Sequence, residues 1–368
     1  MAKAAYLGVD GTARKIKKSY VGVGGTARKI RRAYLGVGGV ARPCWSGAEL
    51  VAYGSIASLR GATAGMIPSN SRYLIFGQGG GCWSETNVTT AYNSDLVRSA
   101  PSDRSHSKFG VLIGANENYS VMGGGITDYS CTNQVDAYST TLTRSNPSGL
   151  SQARGRGCGA KFMEYAVLAG GGNSSSSTAT AYTNVDLYDL QLSRSTVYMS
   201  IKREDASIAT VRDRWLLCSG GWANGVSDMK VLDAFDADLT RTTISMAKSI
   251  GSPMAAGCVG KYGIFTEAAP IAYDQDLTAL ELSNISAYGA TGYYSGGAEL
   301  EGFFVFGGTS TKNLCVCDDI LTLTVLSNAL RTARNYGLAG GSIGNFGIFA
   351  GGTANNSNTL EADAVTVI

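Results

Sequence analysis

Residues 165–172 read YAVLAGGG, an aromatic residue followed by a short apolar run and a glycine cluster. The pattern has six further copies, which are YLIFGQGGG from Tyr73, YSVMGGG from Tyr119, WLLCSGG from Trp215, YGIFTEA from Tyr262, FFVFGG from Phe303 and FGIFAGG from Phe346. Successive copies begin 46, 46, 50, 47, 41 and 43 residues apart. A repeat of this length is typical of stacked or radial arrays of one structural unit.

The composition indicates an all-β chain. Glycine accounts for 49 of the 368 residues and proline for 6, so the turns depend on residues that tolerate positive φ. Polar residues dominate between the apolar runs, and extended helical periodicity is hard to find. We therefore expect residues 48–368 to form a seven-bladed β-propeller. With no apolar run of ~18 residues and no signal-peptide core, we expect neither membrane insertion nor export.

The third unit illustrates the expected blade of four strands. Gly157–Phe162 is the predicted inner strand, where small residues let backbones approach closely. Tyr165–Ala169 is predicted as the second strand, Asn184–Tyr188 as the third and Leu190–Thr196 as the fourth.

The two ends of the repeat region predict how the ring closes. The seventh unit reaches Ile368 within or just after its third strand, and Glu49–Leu59 resembles a third-to-fourth-strand stretch. The N-terminal segment would then complete the last blade, a velcro closure that removes open sheet edges. An eighth blade would need a hidden unit in the irregular stretch 262–303.

A Val-x-x-Tyr strand follows the glycines, as in Val135–Tyr138 and Val185–Tyr188. The combination resembles Kelch propellers over about residues 50–368, although Tyr262 is not followed by a glycine pair. The resemblance implies that loops between second and third strands project on one face and carry ligand contacts. Trp83, Tyr129 and Trp222 in these loops are expected either to contact sugar rings or partner side chains, or to pack locally.

Arg-Ser or Arg-Thr recurs in the fourth strands, at Arg98, Arg144, Arg194 and Arg241. Such a ring of arginines has two interpretations. It would bind an anionic polymer, or each arginine would satisfy backbone carbonyls and nearby aspartates within the architecture. We favour the second, because periodic residues usually serve the scaffold.

Residues 1–47 contain a second repeat with a period of 14, and we expect it to form a separate arm. AYLGVDGTARKIKK, SYVGVGGTARKIRR and AYLGVGGVARPCWS follow one another from Ala5. Asp-Gly or Gly-Gly in the middle of each copy predicts a two-residue β-turn and hence a β-hairpin. Residues 1–45 carry ten Lys or Arg and one acid, which makes the arm strongly basic while the rest of the chain is net acidic.

The basic residues of this arm are the predicted docking residues for an acidic partner surface. They are Arg14, Lys15, Lys17, Lys18, Arg28, Lys29, Arg31 and Arg32. Alternatively, they solvate an exposed strand edge or bind nucleic-acid phosphates non-specifically. Docking to a protein is favoured over nucleic acid, because the regular spacing of the tyrosines suits packing within hairpins better than stacking on bases.

The arm resembles the YVGVGG-ARK repeats near the N-termini of structural proteins of phages and phage-like particles of Gram-positive gut bacteria. The resemblance implies a tail-fibre, baseplate or other appendage protein, made in the host cytoplasm and assembled in several copies on a particle. Its propeller would recognise a host-surface glycan or protein. The alternatives are a capsid or collar decoration protein without receptor binding, and a polysaccharide-cleaving propeller.

The sequence offers no clear catalytic or metal-binding set. The single histidine, His106, lies in a polar turn and is expected to be solvated. The eight cysteines lack a framework spacing, and we expect reduced, packed thiols. Glycine clusters such as Gly77–Gly81 are not followed by a helix and so are not phosphate loops. We expect no enzyme, no cofactor and no metal, although two convergent carboxylates for glycoside cleavage stay possible.

Overall fold

The structure, a computed structural model, describes residues 50–58, 65–77, 86–127, 130–173, 180–226, 229–250, 255–266, 269–283, 295–307, 310–334, 337–354 and 357–367, with the backbone of the strands between residues 6 and 46. The chain divides into two compact units, Met1–Val51 with Val367–Ile368, and Ala52–Thr366. Every regular secondary-structure element of the described residues is a β-strand, which confirms the all-β prediction. None of the described residues form a helix long and apolar enough to cross a membrane.

The first unit contains three two-stranded hairpins. They are β1 (Tyr6–Val9) with β2 (Thr12–Lys15), β3 (Ser19–Val23) with β4 (Thr26–Ile30), and β5 (Arg32–Val37) with β6 (Val40–Ser46). The register of each hairpin leaves two residues between its strands, as between Val9 and Thr12. The hairpins therefore follow the predicted 14-residue period.

Seven main sheets, one for each long repeat, form the second unit. The strands up to the fourth blade are β7 (Leu50–Ile56), β8 (Gly65–Ile67), β9 (Leu74–Gly77), β10 (Thr89–Tyr92), β11 (Arg98–Ser99), β12 (Leu112–Ala115), β13 (Tyr119–Gly123), β14 (Ile126–Thr127), β15 (Ser130–Cys131), β16 (Val135–Ser139), β17 (Arg144–Ser145), β18 (Cys158–Phe162), β19 (Tyr165–Ala169), β20 (Tyr182–Tyr188), β21 (Arg194–Arg203), β22 (Ser207–Val211), β23 (Trp215–Ser219), β24 (Val231–Phe235) and β25 (Arg241–Ser245). The remaining strands are β26 (Ala256–Val259), β27 (Tyr262–Phe265), β28 (Ile271–Tyr273), β29 (Ala279–Glu281), β30 (Gly296–Leu300), β31 (Phe303–Gly307), β32 (Leu314–Asp318), β33 (Leu323–Leu326), β34 (Leu338–Ile343), β35 (Phe346–Gly351), β36 (Thr353–Ala354), β37 (Ser357–Asn358) and β38 (Ala362–Val367).

The sheets form a seven-bladed β-propeller, as predicted. Blades two to six are antiparallel sheets of four strands, and the inner strands of consecutive blades lie side by side. In its described residues, the irregular stretch 262–303 contributes to the fifth and sixth blades and contains no extra blade.

The ring closes by the predicted velcro arrangement. The last sheet has the order β7-β38-β35-β34, so the N-terminal strand β7 is the outer strand of a blade whose other three strands come from the C-terminal end. The inner strand β34 also pairs in parallel with β8 of the first blade. Hydrogen bonds thus join the two ends of the repeat region and leave no open edge between them.

Glycines bring the inner strands close together. A Cβ atom on Gly159 would lie 2.0 Å from the carbonyl oxygen of Ile113 in the neighbouring blade, and one on Gly340 would lie 2.5 Å from the amide nitrogen of Gly297. No side chain fits at such distances, so glycine at these positions sets the packing around the propeller axis.

The predicted fourth strand of the third blade was placed too early. Residues 190–193 form the turn, and β21 begins at Arg194. The Asp189 carboxylate accepts hydrogen bonds of 2.9 and 2.8 Å from the amides of Gln191 and Ser193, and Leu192 adopts a φ of +64°. A side chain that bonds its own backbone in this way competes with strand formation.

Strand direction alternates within each blade and defines two faces. Loops between second and third strands, and the connections between blades, lie at one face, which we call the loop face. The hairpins between third and fourth strands lie at the other face, the hairpin face. Both follow from the antiparallel pairing of each blade.

Candidate ligand-binding site on the loop face

The loop face carries a group of charged and aromatic side chains where the third and fourth blades meet. Trp222 follows β23 after two glycines with positive φ. Backbone hydrogen bonds of 2.9 and 3.0 Å join Trp222 to Glu204, which lies just before the inner strand β22. We call Arg156, Glu204, Asp205 and Trp222 the Trp222 cluster.

Asp205 connects the other members of the Trp222 cluster. Arg156 donates a short hydrogen bond from Nη2 to Oδ2 of Asp205, and Trp222 donates from Nε1 to the same oxygen at 3.3 Å. The guanidinium carbon of Arg156 lies 5.5 Å from the centre of the Trp222 ring, within the range of a cation–π interaction. These contacts hold a half-buried indole ring in a defined orientation.

The backbone of two cluster residues is strained. Arg156 and Asp205 have φ values of +57° and +52°, and each lies two residues before an inner strand. Gly110 has the equivalent place before β12, with a φ of +61°. Residues other than glycine incur about 1 kcal/mol in this conformation, so here the repeat places charged side chains around the axis at a cost in backbone energy. Strain of this kind clusters at functional sites.

Glu204 has unused hydrogen-bonding capacity. The side chain is fully buried, and neither carboxylate oxygen accepts a hydrogen bond from the described residues. Burial raises the pKa of Glu204 to about 7, although Arg156, with Nη1 at 3.6 Å from Oε2, acts in the opposite direction. A Cβ on Gly172 would lie 2.5 Å from Oε2, so that glycine makes room for the carboxyl group.

The side chains of the Trp222 cluster are of types that line binding sites for polar ligands. The Cys131 thiol donates to the carbonyl of Gly172 at 3.2 Å, and burial raises its pKa to about 11, so it is protonated at neutral pH and a poor nucleophile. His106 is exposed. Within the described part of the chain, no three or more His, Cys, Asp or Glu side chains come together as metal ligands. An aromatic ring, a guanidinium and two carboxyls suit polar, ring-shaped ligands.

Only one of the three predicted loop aromatics can be placed. Trp222 belongs to the cluster, whereas Trp83 and Tyr129 lie outside the described residues. The indole ring of Trp222 packs against Arg156 and is half-buried, so it combines local packing with partial exposure to solvent.

For the predicted docking residues of the arm, the structure describes only the strand to which each backbone belongs. Arg14 and Lys15 lie in β2, Arg28 and Lys29 in β4, and Arg32 in β5. Lys17, Lys18 and Arg31 lie outside the described residues.

The recurrent arginines of the fourth strands serve the scaffold, as the favoured interpretation predicted. Each donates to a backbone carbonyl of the segment that enters its blade. The pairs are Arg98 with Ser58, Arg144 with Asp103, Arg194 with Gly149 and Arg241 with Tyr198. Three of them also lie 3.7 to 3.9 Å from a buried aspartate of the third strand.

Arg156, Glu204 and Asp205 were not predicted as site residues from the sequence. A signal was present, because KRED at 202–205 is the only run of four consecutive charged residues in the sequence. Arg156 occupies a position that glycine holds in the preceding blade. Comparing the charges at equivalent places in the repeat would have identified all three.

Comparison with known proteins supports the fold alone. No protein-family model matches the chain, and no curated protein matches it significantly. A solved structure described as the structure of YjhT is similar to this chain, with a TM-score of 0.54, 12% sequence identity, and coverage of 85% of this chain and 99% of that one. At such low identity the likeness extends to the propeller architecture and no further.

Proposed function

We propose that this chain is a structural protein of a phage or phage-like particle, which binds a host-surface glycan through the loop face and docks through its basic arm. The observation that carries the binding role is the Trp222 cluster. It combines an oriented indole ring, strained backbone and a buried carboxyl group without a hydrogen-bond donor among the described residues. A purely architectural position in the repeat does not need these features.

We also infer that the propeller is Kelch-like. The third strands carry a buried tyrosine after the glycine cluster, as at Tyr138 and Tyr188. Each hydroxyl donates to a carbonyl of the segment entering the blade, Ser102 or Ser148, at 2.9 Å. This recurrent use of one tyrosine supports the resemblance noted in the sequence.

The charge balance of the cluster favours a neutral glycan. Two carboxyl groups surround one guanidinium, and the short ion pair with Asp205 already engages Arg156. A phosphate or carboxylate polymer would therefore meet net negative charge, whereas the half-buried indole ring of Trp222 offers a neutral sugar an apolar contact surface. We propose a neutral surface polysaccharide over a teichoic acid.

Binding of the full-length protein to purified cell-wall polysaccharide tests the loop-face role. Trp222→Ala should weaken binding roughly tenfold, the usual scale for truncating a central aromatic contact. Trp215→Phe is the matched control, because Trp215 begins the same strand at the hairpin face and donates from Nε1 to Gln275. Equal binding by both variants, or no polysaccharide binding by a particle-incorporated wild type, would favour the decoration role.

Incorporation into particles tests the docking role of the arm. Deleting residues 1–46 leaves β7 intact, because that strand begins at Leu50. We expect the shortened chain to retain its propeller but to be lost from particles. A second variant that neutralises Arg28, Lys29, Arg31 and Arg32 should lose incorporation while keeping the hairpin turns. Normal incorporation of both variants would refute docking through charge.

A further inference from the structure

The propeller axis contains a cavity of about 120 Å³. Inner strands of five blades form its wall, and the lining side chains include Met66, Lys161, Thr210, Glu299 and Ser342. The cavity is distinct from the Trp222 cluster, because none of the four cluster residues lines it.

These five lining side chains share one place in the repeat. Each is the next-to-last residue of its inner strand, in β8, β18, β22, β30 and β34 respectively. Because the inner strands pack around the axis, these side chains lie at one level of the cavity wall. Glycine has the same place in β12, as Gly114. Hydroxyl and charged groups in a position where glycine suffices indicate a role beyond packing.

Glu299 is the key group of this ring. Its Oε1 accepts a hydrogen bond of 2.6 Å from the amide of Cys258. Its other oxygen receives no hydrogen bond from the described residues, although burial disfavours a bare carboxylate and raises the pKa to about 7. Gly257 makes room for the group, since a Cβ there would lie 2.9 Å from Oε1. Because the side chain is half-buried, that second oxygen can accept a hydrogen bond from a ligand.

The remaining polar groups restrict the charge of a ligand. Lys161 lines the cavity, and its Nζ lies 2.5 Å from Oε1 of the exposed Glu117. An anion would be repelled by Glu299, and a cation would meet the ammonium group of Lys161. The hydroxyls of Thr210 and Ser342 form no hydrogen bonds with the described residues and can each donate and accept.

We propose that the axial cavity binds a small neutral polyol, whose hydroxyl groups bond to Glu299, Thr210 and Ser342. The apolar side chains of Met66 and Ile208 line the same cavity and would contact its C–H groups. A cavity of ~150 Å³ accommodates benzene, so about 120 Å³ suits a molecule of five or six heavy atoms, the size of glycerol.

Ligand-observed NMR on the full-length protein tests the proposal, with glycerol as the probe and 1-propanol as a probe of similar size with one hydroxyl. We expect saturable binding of glycerol and much weaker binding of 1-propanol. Thr210→Val and Ser342→Ala each remove one neutral hydrogen bond and should weaken glycerol binding about fivefold. Both changes are nearly isosteric, and thermal melting would verify that the variants fold.

Thr324→Val is the matched control, because Thr324 is exposed on the outer strand β33. Trp222→Ala should also leave glycerol binding unchanged, which separates this site from the loop face. The proposal is overturned if the wild type does not bind glycerol, if 1-propanol binds equally well, or if both cavity variants bind as the wild type does.

Discussion

Glu204→Gln removes a buried carboxyl group whose ionisation opposes folding. Burial raises the pKa of Glu204 from 4.5 to about 7, and each pKa unit corresponds to about 1.4 kcal/mol between the two protonation states. Ionisation of the native carboxyl therefore costs up to ~3 kcal/mol relative to the unfolded chain. Glutamine avoids that cost, while Arg156 keeps its ion pair with Asp205. We expect the variant to be more stable by about 1 to 3 kcal/mol at pH 8.

The pH dependence identifies the cause. Between pH 4.5 and 7 the native protein holds a proton that the unfolded chain has released, so this group makes wild-type stability fall as pH rises through that window. Glu204→Gln lacks this contribution, and its advantage should be absent below about pH 4.5, grow through the window and level off above about pH 8.

Chemical denaturation of both proteins from pH 4.5 to 8.5, followed by tryptophan fluorescence, measures the difference. Asp238→Asn is the control, since Asp238 is exposed and has no ion-pair partner among the described residues, and it should show no comparable change of stability with pH. A difference that is constant over pH, or a Glu204→Gln variant that is less stable at pH 8, would contradict the assigned role of burial.

Three further changes test the scaffold. Arg154→Leu leaves the fully buried Asp186 without its nearer ion-pair partner at 2.8 Å and with only Arg194 at 3.9 Å. We expect a loss of about 3 kcal/mol in denaturation experiments. Unchanged stability would show that Arg194 and the hydroxyl and amide donors suffice for that carboxylate. Tyr188→Phe removes only the hydroxyl bond to a backbone carbonyl and should cost about 1 kcal/mol by the same measurement, with a loss above about 3 kcal/mol indicating a wider role. Deletion of residues 1–46 should preserve the melting temperature of the propeller, whereas deletion of residues 1–56 also removes β7 and should lower it; equal melting temperatures would argue against closure by that strand.

The scaffold of this protein could be predicted from the sequence because the same unit recurs along the chain. Seven aromatic-apolar-glycine copies fix the number of blades, and tyrosines such as Tyr188 recur where a hydroxyl must reach the same carbonyl of each blade. The error at Leu190–Ser193 came from one side chain, Asp189, whose local hydrogen bonds with the backbone favour a turn over the strand suggested by alternation.

The candidate sites could not be predicted in the same way, because they consist of residues that are far apart in the sequence. Arg156 and Asp205 form a hydrogen bond although 49 positions separate them in the sequence. Lys161 and Glu299 line one cavity from different blades. In the sequence each is an isolated charge, and neither spacing nor composition shows which charges will share a level of the axis.

The sequence by itself determined the all-β class, the seven blades, their closure by an N-terminal strand and the three hairpins of the basic arm, because each depends on local periodicity and turn residues. Only the tertiary structure decided that the recurrent arginines bind backbone carbonyls, that Trp222 is held by Arg156 and Asp205, and that Glu299 faces an axial cavity. The physical reason is that burial and charge pairing arise where blades meet, and the repeat pattern of one blade contains no information about its neighbour.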